Sequence, residues 1–118
     1  MEYCSNFKYD LEVGQVKEIE LAKILNNKKI EVKTDLKAAD TGNVYVEYES
    51  RNKASGIAKT ESDYYCFVIS DYSFFFIKTS ELKVKCRKYL NTNRDKRGGD
   101  NNTSKGILLP IIELIKWM

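Results

Sequence analysis

Histidine is absent from the 118-residue chain and cysteine is scarce: Cys4, Cys66 and Cys86 are odd in number, widely separated and never in a C-x-x-C pair. Without imidazole, Ser-His-Asp and Cys-His catalysis are excluded, as is any zinc site that needs histidine. Acid, base and metal chemistry then falls to carboxylates, lysines and tyrosines. The cysteine pattern argues against a disulfide framework or structural zinc and fits small apolar or surface residues in a reducing compartment. No apolar run approaches the roughly 18 residues of a membrane span. The opening "MEYCSNFKYD" also has neither the basic start nor the apolar segment of a signal peptide. The expected location is therefore cytoplasmic, with no membrane partner. No internal repeat is visible.

What is present is ordinary globular composition, 42% hydrophobic and 31% charged, which suits one domain over residues 1–118 with a single modest core. The net charge of +3 is mild but unevenly spread. Residues 83–105 hold eight basic and two acidic side chains, against eleven basic and fourteen acidic before residue 83. An acidic front half beside a basic segment is the pattern of a polyanion-binding surface next to a cluster that attracts cations.

Helical spacing over 13–26 puts Leu21, Ala22 and Leu25 on one face. Glu18 lies three, four and seven positions before them, so its carboxylate points along the apolar stripe, where an unpartnered charge is costly. The alternative has Glu18 at the stripe's edge, reaching solvent or a lysine. Two strand-like runs follow, 29–35 and 44–50, with "ADTGN" supplying turn residues between them. Alternation places Glu31, Lys33 and Asp35 on one face of the first and Tyr45, Glu47, Glu49 and Arg51 on one face of the second. Antiparallel pairing across the turn would join these charged faces.

Beyond residue 59, "TESDYY" reads as a helical turn capped by Thr60, and "YYCFVIS" and "SFFFIKTS" as apolar strands covered on both faces. "SELKVKCRKYL" reads as a helix capped by Thr79, "NTNRDKRGGDNNTSKG" as a polar loop, and "ILLPIIELIKWM" as a closing helix with Pro110 near its start. The expected fold class is α/β (α+β), a mixed central sheet flanked by helices.

Hard divalent cations choose carboxylate oxygens, and phosphodiester hydrolysis uses them to orient water and neutralise charge developing on phosphate. An aspartate at one strand end, a glutamate on the next strand and a third charged group two residues further would serve, and the chain offers Asp35, Glu47, Tyr48 and Glu49 in that order. On these residues the sequence resembles the PD-(D/E)XK phosphodiesterase superfamily of restriction endonucleases, phage nucleases and Holliday junction resolvases. The segment "TGNVYVEYESRNKASGIAKTESDYYCFV" resembles its small phage-encoded members. The resemblance implies a restriction-endonuclease-like core and a metal-dependent DNA nuclease. Mg2+ or Mn2+ would be held by Asp35, Glu47 and Glu18, with Tyr48 in the ligand set and Glu49 positioning the nucleophile.

Where most members have the motif lysine this chain has Glu49, so the positive charge is expected from Lys33, or else from Arg51 or Lys53. A rival register, Glu31-Val32-Lys33, needs an earlier strand aspartate, and Asp10 lies before the helix. DNA backbone contacts are expected from Lys83, Lys85, Arg87, Lys88, Arg94, Lys96, Arg97 and Lys105, with Lys53, Ser55 and Lys59 as a second group. So small a protein suits cutting by DNA structure, or as a homodimer. The alternative function is a non-catalytic nucleic-acid-binding module with a solvated acidic face.

Overall fold

In the computed structural model, which describes residues 3–116 and the side chains of 14–99 and 101–116, the two charged runs are strands, β1 (Ile30–Thr34) and β2 (Asn43–Ser50). They do not pair with each other. β1 runs parallel to β4 (Tyr64–Ser70), which pairs antiparallel with β5 (Ser73–Lys78) in a sheet of order β1-β4-β5. β2 pairs antiparallel with β7 (Ser104–Pro110), in a second sheet with β3 (Lys53–Ala54) and β6 (Asp95–Gly98) of order β3-β2-β7-β6. The expected single sheet is thus two, in an α+β arrangement, and the expected β1/β2 hairpin is replaced by a crossing between sheets.

The connection explains the crossing. Instead of a tight hairpin turn it holds a helical turn, α2 (Ala38–Thr41), closed by Gly42, whose φ of 76° lets its N–H reach the Ala38 carbonyl at 2.8 Å. That redirects the chain before β2 begins. The run read as a closing helix is mostly β7, and only α4 (Ile112–Ile115) is helical. Short apolar runs fit a helix or a buried strand equally, and here Leu109 and Ile107 pair opposite Val44 and Val46 to form the core. The expected polar loop contains β6. "TESDYY" holds no helical turn: Thr60 Oγ1 accepts the Ser62 N–H at 3.1 Å, Tyr64 and Tyr65 open β4, and the 3-10 turn lies earlier at Gly56–Ala58. α3 (Thr79–Arg87) has Lys78 at its N-cap, and the Thr79 hydroxyl instead lies 3.1 Å from that of Ser62.

Tyr65, Phe67, Ile77, Leu82 and Leu114 join these residues in the core, so the inner face of the first sheet is covered while β5 is an edge strand. α1 (Tyr3–Asn27) is longer than its spacing predicts and projects from the body, giving extents of 60 × 29 × 27 Å. Of its residues 14–27 all are exposed except half-buried Ile24. Glu18 therefore faces solvent, not the core. Among the described residues, no helix is long and apolar enough to cross a membrane.

Candidate functional site

Although β1 and β2 belong to different sheets, they approach each other at Asp35 and across one cavity. β3 pairs only with Glu49 and Ser50, so among the described residues the first half of β2 has no strand on its other side. Asp35, just past β1, fills the place: its N–H bonds the Val68 carbonyl at 2.9 Å, and its Oδ2 accepts the Tyr45 N–H at 3.2 Å. Two residues along from Tyr45 on β2, and on the same face, is Glu47. Lys33, Tyr45, Glu47, Gly56, Tyr65 and Phe67 line one cavity of about 200 Å³. Lys33 and Glu47 are thus brought to one cavity by strands from two sheets, with Asp35 anchored beside it on the Tyr45 backbone.

Glu47 is held from the far side. Ser55 Oγ donates to Glu47 Oε2 at 2.9 Å. The 3-10 turn can press this close because residue 56 is glycine: its φ is 49°, and a Cβ there would fall 2.2 Å from the Glu47 carbonyl oxygen. Ser55, expected on a DNA surface, instead spends its hydroxyl on the Glu47 carboxylate.

Glu49 is not part of this group. A bulge interrupts β2, so that Glu47 faces Gly106 while Glu49 faces Lys105. Gly106 and Lys105 are successive residues on β7 and point to opposite faces, and cross-strand partners share a face, so Glu47 and Glu49 look in opposite directions. Glu49 instead pairs with Lys105 at 3.7 Å. Tyr48 leaves the expected ligand set too. Its hydroxyl donates to Asp95 Oδ1 at 2.7 Å and its carbonyl accepts the Ser55 N–H at 3.1 Å. Burial and then the Asp95 bond push its phenol up to about 12.

Tyr45, on the same strand face as Glu47, packs in a way that alternation alone does not reveal. Its ring lies across β7 and β6 over Gly106 and Gly98, where a Cβ would come within 2.6 and 2.9 Å of it. Its hydroxyl lies 2.9 Å from Ser104 Oγ. The paired glycines on adjacent strands were the available signal. Burial raises its phenol pKa, against the Ser104 bond and with help from the Glu47 charge.

The basic residues divide. Lys85 is buried, its Nζ donating to the carbonyls of Glu113 and Lys116, so it is withdrawn from any DNA surface. Arg94 clamps β2 to β7 through Asn43 Oδ1 at 2.7 Å and the Leu108 carbonyl at 3.0 Å. Lys88 pairs with Glu113 at 2.5 Å. Lys53, Lys59, Arg87, Lys96 and Arg97 are exposed and Lys83 half-exposed. Lys83 and Arg87 border a cavity of about 310 Å³ floored by Tyr48, Ile57, Leu90 and Ile107. Lys96, Arg97 and Lys105 line a more open cleft of about 460 Å³, again against Tyr48.

Asp35 and Glu47 each commit one oxygen to a hydrogen bond and leave the other without a partner among the described residues. Two carboxylates suit Mg2+, which keeps several waters and seldom sits in an all-protein cage. Among the described residues, no three His, Cys, Asp or Glu side chains gather as a metal cage. No protein-family model, curated protein or solved structure matches the chain.

Proposed function

We propose that the chain is a divalent-metal-dependent DNA nuclease, with the β1/β2 gap as the counterpart of a restriction-endonuclease-like centre. The observation that carries this reading is that Lys33 and Glu47, from two different sheets, line one cavity, while Asp35 is tied to the same strand through the Tyr45 N–H that borders it. Asp35 and Glu47 would hold Mg2+ or Mn2+, which supplies Lewis-acid stabilisation of the phosphate and a more acidic water. Lys33, two residues before Asp35 on the same strand face, would offer the charge that the motif lysine gives elsewhere. Ser55 would keep the Glu47 carboxylate turned toward the gap. Glu18, Glu49 and Tyr48 have no part in this version of the site.

The test is purified protein with Mg2+ or Mn2+ on duplex, single-stranded and branched DNA, with Mn2+ binding followed calorimetrically. Cleavage is expected in wild type and its loss in Asp35→Asn and Glu47→Gln, with weakened Mn2+ binding. If none of the three substrates is cut and Asp35→Asn leaves Mn2+ binding unchanged, the assignment is dropped.

A second reading is favoured by one specific feature. The clefts of Lys83, Arg87, Arg97 and Lys105 open on the Tyr48 side of the second sheet, opposite Glu47. A binding module without chemistry would use these cations alone, because backbone contacts supply sequence-independent affinity. It predicts salt-dependent DNA binding that falls on Arg97→Glu and is indifferent to Asp35→Ala and Glu47→Ala.

A further inference from the structure

Among the described residues, two apolar surfaces lack a covering layer. The first is the outer face of the β1-β4-β5 sheet. Register places Val32, Cys66 and Phe76 in one row and Thr34, Val68 and Phe74 in the next, on the side away from Tyr65, Phe67 and Ile77. Val32 is 57% and Phe74 58% exposed, and Leu36 and Tyr72 beyond them are open as well. The second is α1, where Val16, Ile19, Leu21 and Leu25 are all exposed. Contiguous exposed apolar patches of this kind mark interaction surfaces.

The helix pattern says what covers them. At about 100° per residue, Leu21, Ile24 and Leu25 fall on one side of α1 and Val16 and Ile19 on the opposite side. A helix folded back on its own sheet would cover one stripe and leave the other in water. A helix lying on a second copy's sheet, beside that copy's own α1, would cover both. The hinge points the same way. Only Lys28 and Lys29 separate α1 from β1, and Lys29 is pinned at both ends: its N–H bonds Asp63 Oδ2 at 2.9 Å, and its carbonyl accepts from Asp63 N at 2.8 Å and Tyr64 N at 3.1 Å. Short constrained hinges favour exchange between copies over local reversal.

We propose that the chain forms a twofold dimer in which α1 of each copy lies across the β1-β4-β5 face of the other through Leu21, Ile24 and Leu25, while the Val16 and Ile19 sides of the two helices meet at the axis. The contact is self-complementary, so it closes at two copies. The proposal does not depend on the nuclease reading.

Light scattering after size exclusion should give twice the chain mass for wild type. Leu21→Glu on the helix and Phe74→Glu on the sheet should each raise the dissociation constant by about tenfold or more, with unchanged circular dichroism because both side chains are exposed in one copy. An equimolar mixture of the two variants should regain dimer, since one of its two helix-sheet contacts is intact. Should Phe74→Glu misfold, Val32→Lys tests the same face. A monomeric wild type, an open-ended series of larger species, or a dimer sensitive to Leu21→Glu but not to Phe74→Glu and Val32→Lys would each overturn the proposal.

Discussion

Glu113 has a fully buried carboxylate in α4, and its removal gives the sharpest stability prediction. Lys88 Nζ lies 2.5 Å and Lys116 Nζ 3.0 Å from it, and the Tyr89 hydroxyl donates at 3.3 Å. Burial alone would raise the carboxyl pKa, but the bonds and charges of Lys88 and Lys116 outweigh it and hold the group at about 2 against an ordinary 4.5. That difference corresponds to about 3 kcal/mol, trimmed toward about 2 because the two ammonium groups are half in water and screened. The carboxyl is depressed in the folded state, so its contribution is complete above the ordinary value of 4.5 and is lost as pH falls through about 2. Glu113→Gln keeps the shape and removes the charge, leaving Lys88 and Lys116 to rehydrate. Urea unfolding followed by circular dichroism should show a loss of about 2–3 kcal/mol near neutral pH. It should also show a shallower decline than wild type on acidification. A variant whose stability falls with pH as steeply as wild type, or equals it at neutral pH, refutes the ion-pair account.

Three further outcomes are expected. Gly56→Ala forces a Cβ into the left-handed region, at about 1–2 kcal/mol, and into the Glu47 carbonyl. Both the melting temperature and Mn2+ affinity should drop, and unchanged values of both would remove the close approach from the account. Tyr48→Phe deletes the hydroxyl bond to Asp95, expected to cost about 1–3 kcal/mol in denaturant titrations. With that phenol held up to about 12, the wild-type and variant spectrophotometric titrations should coincide through the ordinary tyrosine range; a missing group near 10 would contradict the placement. Burial, aided by the Glu113 charge, pushes the Cys86 thiol to about 12. In a Cys4→Ser, Cys66→Ala background, disulfide-exchange reagents should therefore leave the folded protein unlabelled until denaturant is added, and rapid labelling of the native state would show the Cys86 thiol to be open.

The strands themselves were readable because alternation in "IEVKT" and "NVYVEYES" is a local property. Their partners were not, because β1 and β2 take up β4 and β7, whose apolar runs compete for central positions only once the whole chain is collapsed. The same limit misplaced β7, whose run fits a helix until Val44 and Val46 stand opposite it. Lys33 and Glu47 line one cavity and Asp35 bonds the Tyr45 backbone next to it, through a route between sheets and not a hairpin. Glu49 was misjudged since the bulge at Tyr48 carries no glycine to announce it, and a one-residue slip reverses every later side chain. Lys85 and Arg94 counted as surface charge because composition cannot tell a solvated cation from one that ties carbonyls together.

The pairing of β2 with β7 runs from Ser50 opposite Ser104 to Asn43 opposite Pro110, joining residues 54 to 67 positions apart. Pairings of such sequence separation close late, since chain entropy must be surrendered before any contact rewards it. β1, β4 and β5 can assemble earlier, being nearer in sequence. During synthesis Asp35 and Lys33 would then wait on a formed edge while Glu47 stays on an unpaired segment, and the gap between the sheets would take shape as one of the last folding events.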